Sequence, residues 1–430
     1  MSIERDVRQM LSDKISGTYV GLWLLLPEHL RLGTWDILSA WTGCRGPEAL
    51  DPRIGLQMVN ESALCVNWLR GQRTLRHKGF ETLNGLPFVA TDQAIHRLLD
   101  QHTISEAEAL QGMLGKIREA RGHYPGPEIL LDPHRIQAWT KRQVQPKKAG
   151  VGAAAQKTLQ TFFAIDSRSS QPIAMGIGSS SVTVSQATRS IIERTRAVIS
   201  NPALFVGDSE HFTVEVLDHL AADRQFTVLM PTPRYRSLLT KCSALQYRPL
   251  WAGYAVAEDV YQLGHRRMRL LVQRVGETPQ TYDYKPFVTT SDRRAVDLMG
   301  DVFPERWNIE EFFNLEGALG WNRAATLNLN IRFGRLSLAL IAQAAIFQFK
   351  QRVLDPINTW TAESMAHKLF GGIDGDLRVH NDTIIVTLYN APNVQTLKAH
   401  YQNLPRKLEA EGIDPRVPWL YNFKVDFRFK

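Results

Sequence analysis

Apolar residues recur at helical spacing through residues 1–125, most clearly in ATDQAIHRLLDQHTISEAEALQGMLGKIREA (90–120). Thr91 is placed to cap a first helix, and Ser105 with Glu108 forms a capping-box pattern for a second. Two short helices joined by the residues QHT fit either a helix-turn-helix, which places a helix in a DNA groove, or a plain helical hairpin. The pattern predicts a helical N-terminal domain.

A different pattern begins after Pro125, where short apolar runs alternate with helical ones. Strands are predicted in EILLDPHRIQ, LQTFFAIDS and QPIAMGIGSSS, and a helix is predicted in SQATRSIIERTRAVIS. The strand ALFVGDSEHF, the helix TVEVLDHLAADR and the strand QFTVLMP complete the series. This order of three strands, helix, strand, helix and strand indicates an α/β domain.

Residues 234–300 interrupt the series with strand-like segments such as RRMRLLVQRV and TYDYKPFVTT, which predict an inserted β-rich unit. A helix is predicted in PERWNIEEFFNLEG (304–317), and the apolar run LSLALIAQAAIF (336–347) predicts a buried helix. Residues 351–430 contain a predicted hairpin in LRVHNDTIIVTLYN and a strand in FKVDFRFK, where apolar and charged residues alternate. We expect a small α+β region there.

Charge and cysteine content narrow the function classes. The 430 residues include 51 basic and 43 acidic ones, and the net charge of +8 suits a polyanionic partner, although mildly basic enzymes are also common. The three cysteines, Cys44, Cys65 and Cys242, fit neither a disulfide framework nor a CxxC zinc site, so a reducing cytoplasmic compartment is expected. No apolar run approaches the roughly 20 residues of a membrane span, and the start lacks the order of a signal peptide.

Carboxylates follow two of the predicted strands. Asp132 and Asp208 each come at the end of a buried strand, and adjacent strands lie only about 5 Å apart. Two acids held that closely repel each other unless a cation lies between them or one is protonated. Mg²⁺ prefers oxygen ligands, and a third acid from a helix, Glu310, would complete a site for two ions about 3.5–4 Å apart. The sequence therefore predicts a two-metal site.

Each acid also has an ordinary structural interpretation. Asp132 precedes a proline, as turn residues do, and Asp208 could cap the following helix unless Thr213 does so. Glu311 competes with Glu310 for the third position. One or both of the histidines near the two aspartates, His134 and His211, are expected at the rim of the site, because imidazole suits zinc better than magnesium.

The strand order, the placement of the acids and the inserted unit together resemble the ribonuclease-H-like DDE transposases, and within them the IS-four-type insertion-sequence family. That family carries the signature Y-x2-R-x3-E-x6-K on the helix of its third acid. Here the frame reads Phe303, Arg306, Glu310 and Gly317, so the arginine and glutamate match while the tyrosine and lysine are replaced. The resemblance covers roughly residues 125–350 and is most specific in RWNIEEFF.

The resemblance implies a DNA transposase, a polynucleotidyl transferase. Its helical domain (1–125) would bind DNA ends, and its catalytic core (126–350) would be a ribonuclease-H-like mixed sheet flanked by helices, with a β insertion at about 234–300. The core would be followed by a small C-terminal region (351–430). Asp132, Asp208 and Glu310 would hold two Mg²⁺ ions, with Mn²⁺ as a substitute. Water would cut the element's ends, and each freed 3′-OH would form a hairpin and later attack target DNA.

The implied partners are double-stranded DNA, as terminal inverted repeats and as target, and a second copy of the chain in a synaptic homodimer. No membrane is implied, and the expected location is a prokaryotic cytoplasm, at the nucleoid when bound to DNA. The expected DNA contacts come from Arg306, Lys147 and Lys148, with Arg323 as a replacement for the missing lysine. Trp251 is the candidate to stack a flipped base, the alternative being a core tryptophan.

Two other functions are compatible with the same residues. The replacements at Phe303 and Gly317 would suit a transposase-derived DNA-binding protein that has lost catalysis, because glycine cannot replace the point charge that lysine offers to a phosphate. A Mg²⁺-dependent nuclease of the same fold would cut DNA without joining it. The three acids favour an active enzyme.

Overall fold

The computed structural model of the protein describes residues 2–66, 75–138, 141–144, 146–148, 154–178, 182–221, 225–321, 326–353 and 355–430, without the side chains of 137, 147, 148 and 221. The chain forms two compact units. The first unit combines Met1–Arg118 with Asn314–Lys430, and the second unit is Glu119–Phe313. The boundaries expected at 125/126 and 350/351 therefore do not coincide with those of the compact units.

Helices dominate the first part of the chain and strands the middle. The N-terminal elements are α1 (Ile3–Ser12), β1 (Ile15–Gly17), α2 (Leu26–Arg31), α3 (Thr34–Thr42), α4 (Leu50–Ala63), α5 (Lys78–Leu83), α6 (Asp92–Gln101) and α7 (Ile104–Ala120). They are followed by β2 (Glu128–Gln137), β3 (Pro146–Lys148), β4 (Ala155–Asp166), β5 (Pro172–Gly178), α8 (Val184–Val198), β6 (Ala203–Val206), α9 (Val214–Ala221) and β7 (Phe226–Pro231).

The inserted segment and the C-terminal part follow in the same way. The insertion contains α10 (Arg236–Ser243), β8 (Arg248–Trp251), β9 (Tyr254–Leu263), β10 (Arg266–Val275), β11 (Asp283–Thr289) and α11 (Ala295–Asp297). The rest contains α12 (Trp307–Glu316), α13 (Leu329–Val353), α14 (Ala362–Met365), β12 (Gly375–His380), β13 (Thr383–Leu388), α15 (Val394–Tyr401), α16 (Leu404–Ala410), β14 (Arg416–Val417) and β15 (Phe423–Phe429).

The second unit is built on one mixed sheet. At its centre the strand order is β5-β4-β2-β6-β7, in which β4 is antiparallel to β2 and β5, while β6 and β7 run parallel to β2. Helices α8 and α9 connect β5 to β6 and β6 to β7. A parallel connection of this kind needs a crossover helix, which is why the sequence alternates strand and helix here. The predicted α/β fold class with a mixed, ribonuclease-H-like sheet is confirmed.

The inserted β-rich unit prolongs this sheet instead of forming a separate one. Strand β11 pairs antiparallel with β7, and β10, β9 and β8 follow outward. Helix α10, which the sequence pattern did not indicate, packs Leu238 and Cys242 on Leu270 and Val272 of β10. The insertion is therefore held by the same hydrogen-bonded ladder as the central strands.

The core of the second unit lies between the sheet and helices α8 and α9. Ile191 and Ile192 of α8, with Val216 and Leu217 of α9, are buried in one apolar cluster with strand residues such as Phe205. Each fully buried side chain of this size contributes about 1.5–3 kcal/mol. These contacts hold β2 and β6 side by side, and the two aspartates follow the last residue pair that joins these strands.

In the first unit, the long helix α13 packs on α4 and α6. Its buried face explains why the apolar run at 336–347 joins the N-terminal helices, whereas the sequence placed it in the catalytic core. A second mixed sheet has the order β1-β12-β13-β15-β14. The predicted hairpin (β12 and β13) and the alternating strand (β15) are both confirmed.

The N-terminal helices test the two predicted caps. Thr91 accepts a hydrogen bond from the backbone N–H of Ala94, as predicted. The capping box at Ser105 and Glu108 is wrong, because α7 begins two residues earlier than that pattern requires: Thr103 Oγ1 accepts from the Glu106 N–H, and the Glu106 carboxylate accepts from the Thr103 N–H at 2.6 Å. None of the helices in the described ranges combines the length and apolar composition needed to span a bilayer.

Candidate active site

Asp132 lies in the middle of a strand, and its predicted position at a strand end is wrong. Strand β2 continues to Gln137 because it stays paired with β4, where Asp132 lies opposite Phe163. On its other side the parallel pairing with β6 stops at Leu130 and Val206. Asp132 and Asp208 each come two residues after that last pair. Both aspartates therefore still lie where the parallel pairing of β2 and β6 ends.

Asp208 begins a short 3₁₀ turn, Ser209–His211, and its carboxylate accepts a hydrogen bond from the Glu210 N–H at 2.7 Å. The alternative that Asp208 caps α9 is wrong, since Thr213 Oγ1 accepts from the Val216 N–H there. Asp208 does act as a cap, but of its own turn. That bond orients one carboxylate oxygen, and the other has further acceptor capacity.

Glu310 lies on helix α12 beside a buried apolar face. Ile309, Phe312 and Phe313 are buried, and Phe313 packs on both Phe163 of β4 and the ring of His134, whose centroid is 4.2 Å away. These contacts place α12 against the strands that carry Asp132. The packing face predicted from the spacing of apolar residues is thus confirmed, and it leaves Glu310 on the side of the helix that faces the acids.

Arg306 connects two of the three acids. Its Nη2 donates a hydrogen bond to Glu310 Oε1 at 3.2 Å, and its Nη1 lies 3.6 Å from Asp132 Oδ1. The side chains of Arg306 and Asp132 are only 15% and 17% exposed. Glu311 is exposed on the same helix. The geometry therefore favours Glu310 over Glu311 as the third acid.

Burial raises the pKa of Asp132 to about 7, and the guanidinium of Arg306 opposes this rise. The negative charges of Asp208, Glu310 and Glu210 also contribute to this rise in pKa. Three further carboxylates thus act on one buried carboxyl group, which is the arrangement expected where a cation belongs. Glu210 was not singled out in the sequence; it pairs with Arg135 on the same strand as Asp132.

This shift predicts how stability depends on pH in the metal-free protein. The ordinary pKa of Asp132 is 3.8, so the folded state keeps a proton that the unfolded chain loses between pH 4 and 7. Stability should fall across that window and level off above it. Asp132→Asn cannot ionise, so we expect it to exceed wild type by about 1–3 kcal/mol at pH 8 and by little at pH 4.

Urea unfolding in EDTA at both pH values measures this difference. An Asp132→Asn advantage that is the same at pH 4 and pH 8 would show that the carboxylate is not the group that titrates.

His211 is buried, 2% exposed, so it is not the histidine expected at the rim of the site. Thr188 Oγ1 donates to the Val184 carbonyl at 2.7 Å and therefore accepts from His211 Nδ1–H, which is 2.8 Å away. Burial lowers the pKa of His211 to about 4, so the ring is neutral. Gly207 leaves room for it, because a Cβ there would lie 3.1–3.2 Å from ring atoms. The ring anchors the Asp208 turn to α8.

Removing the hydroxyl that anchors His211 should destabilise the second unit. Thr188→Val leaves the buried Nδ1–H without an acceptor, at an expected cost of about 1–3 kcal/mol, whereas Thr188→Ser keeps the hydroxyl and should lose less than about 1 kcal/mol. Denaturant unfolding of both variants measures the difference. A loss in Thr188→Ser with none in Thr188→Val would mean that the methyl group, and not the hydrogen bond, supports the turn.

The structure describes some of the predicted DNA-contact residues and not others. Trp251 is 60% exposed at the turn between β8 and β9, so the core alternative is wrong; its ring stacks on Tyr254 with centroids 4.3 Å apart. Lys147 and Lys148 lie in β3, but their side chains are outside the described part of the chain, and so is Arg323 entirely. Phe303, at the signature's tyrosine position, packs edge-on against Phe287.

The donor set suits a hard divalent cation. Asp132, Asp208 and Glu310 offer only carboxylate oxygens, the ligands that Mg²⁺ prefers. In the conformation described, however, no group of three or more acids, histidines or cysteines within the described ranges is closed around a metal position. Arg306, between Asp132 and Glu310, supplies the positive charge instead. The residues therefore fit a metal chemically, and a side-chain movement has to accompany its binding.

Comparison with known proteins identifies a family for this chain. Residues 123–344 match the family model described as the transposase DDE domain. No curated protein sequence matches the chain. Among solved structures, the chain is similar to a piggyBac transposase in a synaptic complex with hairpin DNA, studied by cryo-electron microscopy, with 10% identity, a TM-score of 0.45, and coverage of 84% of this chain and 82% of that one. Since the family match spans just over half of the sequence, the chain belongs to the transposase DDE domain family and is a DDE transposase.

Proposed function

We propose that this transposase cuts the ends of its own insertion sequence at terminal inverted repeats and joins the freed 3′-OH ends to target DNA. The observation that carries the proposal is the convergence of Asp208 and Glu310 on the buried Asp132, whose pKa their charges raise. A single buried carboxyl group surrounded by acids has little use in packing, because like charges destabilise the fold. It is well suited to holding a divalent cation.

Asp132, Asp208 and Glu310 would hold the ions, with Mg²⁺ as the expected metal and Mn²⁺ as a substitute. Bound there, divalent ions would lower the pKa of an attacking water or 3′-OH and stabilise the charge on the leaving oxygen. The protein's contribution is to hold the three carboxylates in place. The β2–β4 ladder holds Asp132, the His211–Thr188 contact holds the Asp208 turn, and Phe313 holds the helix of Glu310.

Two exposed or partly exposed side chains offer groups for DNA. Arg306 provides a guanidinium that matches a phosphate in two-point geometry. Trp251, backed by Tyr254, presents an exposed aromatic face on which an unpaired base can stack, as hairpin formation would require. The replaced tyrosine and lysine of the family signature, Phe303 and Gly317, remove two phosphate contacts. We expect Lys147, Lys148 and Arg323 to supply others.

We further propose that the helical N-terminal region contacts the DNA ends and that two copies of the chain act together as a synaptic homodimer. The helix pair α6 and α7 supports the first point, since it has the form of a helix-turn-helix or a helical hairpin. The second point follows from the reaction, because two ends have to be cut and joined together.

A labelled-end assay tests the proposal. A duplex containing the inverted repeat that flanks the coding region is incubated with the protein, Mg²⁺ and a plasmid target, with Asp208→Asn as the inactive control. Transfer of a labelled 3′ end to the plasmid by wild type alone is the expected result. Cutting without transfer would favour the nuclease, and binding without cutting by either protein would favour the DNA-binding derivative.

A further inference from the structure

Asp132 and Glu310 share a positively charged partner within the protein, the guanidinium of Arg306. Arg306 makes one hydrogen bond to Glu310, and its contact with Asp132, at 3.6 Å, is longer than a hydrogen bond. A guanidinium has five N–H donors in a planar fork, and this arrangement uses one of them on the acids. Arg306 is thus held mainly by electrostatic attraction to the two carboxylates and by only one hydrogen bond to them.

Arg306 also lies beside the surface. Its Cζ is 5.6 Å from the ring centroid of Trp307, whose side chain is 63% exposed. An exposed aromatic face next to a guanidinium supports the cation while it moves towards solvent. Arg135, on the same strand as Asp132, pairs with a different carboxylate, that of Glu210.

We propose that Arg306 is an internal counter-ion that competes with the divalent cation for Asp132 and Glu310, and that a DNA phosphate releases it. The proposal rests on the function proposed above. Without DNA, the guanidinium would neutralise the two acids and weaken metal binding. With DNA, a phosphate would offer Arg306 two parallel hydrogen bonds, which is a better partner than the present one. The acids would then be free for the metal.

This exchange couples the two ligands. If a phosphate and a metal each favour the same position of Arg306, each has to increase the affinity for the other by the same factor. The coupling would also limit cutting to DNA that occupies the site, since the metal-bound state would be rare before DNA arrives. Arg306 is in this sense a positioning residue as well as a DNA contact.

Mn²⁺ binding, followed by electron paramagnetic resonance of the free ion, tests the proposal without a catalytic readout. The proteins are wild type, Arg306→Gln, Arg306→Lys and the matched control Arg135→Gln, each with and without a pre-cut duplex whose dideoxy 3′ end cannot react. Ion bound by the duplex alone is subtracted. Thermal unfolding of each variant establishes that it is folded.

Without DNA, Arg306→Gln should bind Mn²⁺ about fivefold or more tightly than wild type, with Arg306→Lys between them. The duplex should tighten binding to wild type and have a much smaller effect on Arg306→Gln. Equal or weaker binding by Arg306→Gln would overturn the proposal. So would an equal gain in Arg135→Gln, because the effect would then be one of general charge.

Asp208→Asn separates this inference from the function on which it rests. If Asp208→Asn loses Mn²⁺ binding while Arg306→Gln behaves as wild type, the metal site stands and the role of Arg306 as a competitor is wrong. If wild type, Asp208→Asn and Arg306→Gln all bind Mn²⁺ equally weakly with and without the duplex, both the competitor role and the proposed metal site are wrong.

Discussion

Replacing Glu310 with glutamine should reduce DNA cutting by about 10³-fold or more, equivalent to about 4 kcal/mol in the barrier, while Glu311→Gln should cut at the wild-type rate. The two residues are adjacent on α12 and are both glutamates. A difference between the two variants therefore reports the position of the side chain and not its chemical type. Glu310 contacts Arg306 and acts on the pKa of Asp132, whereas Glu311 is exposed. Only the loss of Glu310 removes an oxygen ligand from the proposed metal site.

Single-turnover cutting of the repeat duplex in Mg²⁺ measures both rates, and a gel-shift assay in EDTA establishes that both variants bind DNA. Loss of cutting in Glu311→Gln with normal activity in Glu310→Gln would reverse the assignment. Wild-type activity in both variants would show that neither glutamate of α12 takes part in cutting.

The second large effect is expected in the first unit, which contains none of the three candidate acids. Glu28 is fully buried, and its carboxylate accepts hydrogen bonds from Arg31 at 3.0 Å, Tyr401 at 3.0 Å and Arg352 at 3.3 Å. Arg31 in turn bonds Glu411 in a two-point pair, at 2.7 Å for each bond. Glu28→Gln keeps the shape but leaves buried positive charge with one carboxylate fewer. We expect a loss of about 3–5 kcal/mol in the free energy of unfolding.

The control is Glu4→Gln. Glu4 pairs with Arg8 on the surface of α1, where both side chains are a third or more exposed, so the loss should stay below about 1 kcal/mol. Denaturant unfolding monitored by circular dichroism compares the two variants with wild type. A loss below about 1 kcal/mol in Glu28→Gln would mean that water or rearranged neighbours replace the missing charge.

The three candidate acids could be predicted from the sequence, but the length of the strand that carries Asp132 could not. The sequence indicates Asp132, Asp208 and Glu310 by their places after apolar runs and on an amphipathic helix, and the structure brings the latter two close enough to Asp132 to raise its pKa. The strand end predicted at Asp132 was wrong, since β2 continues to Gln137. A run of apolar residues does not mark the full length of a strand, because antiparallel pairing with β4 continues past the run to Gln137.

The residues that support the site could not be predicted from the sequence. Thr188 and His211 are 23 positions apart, and no periodicity links a threonine on α8 with a histidine in a turn. Trp251 could equally have been a core residue, and its 60% exposure depends on its being at the outer end of the inserted strands. Likewise, the helix α13 has an apolar composition that demands burial but does not say against which helices.

The sequence by itself determined the order of strands and helices in the catalytic sheet, the acidic candidates and the alternating strand at the C-terminus. These features depend on periodicity and on residue type, which are local properties of the chain. Only the tertiary structure decided that Arg306 lies between Asp132 and Glu310, that His211 is buried, and that residues 1–118 share a unit with 314–430. Contacts between residues distant in sequence arise from packing, because many partners could satisfy the same apolar face or charge.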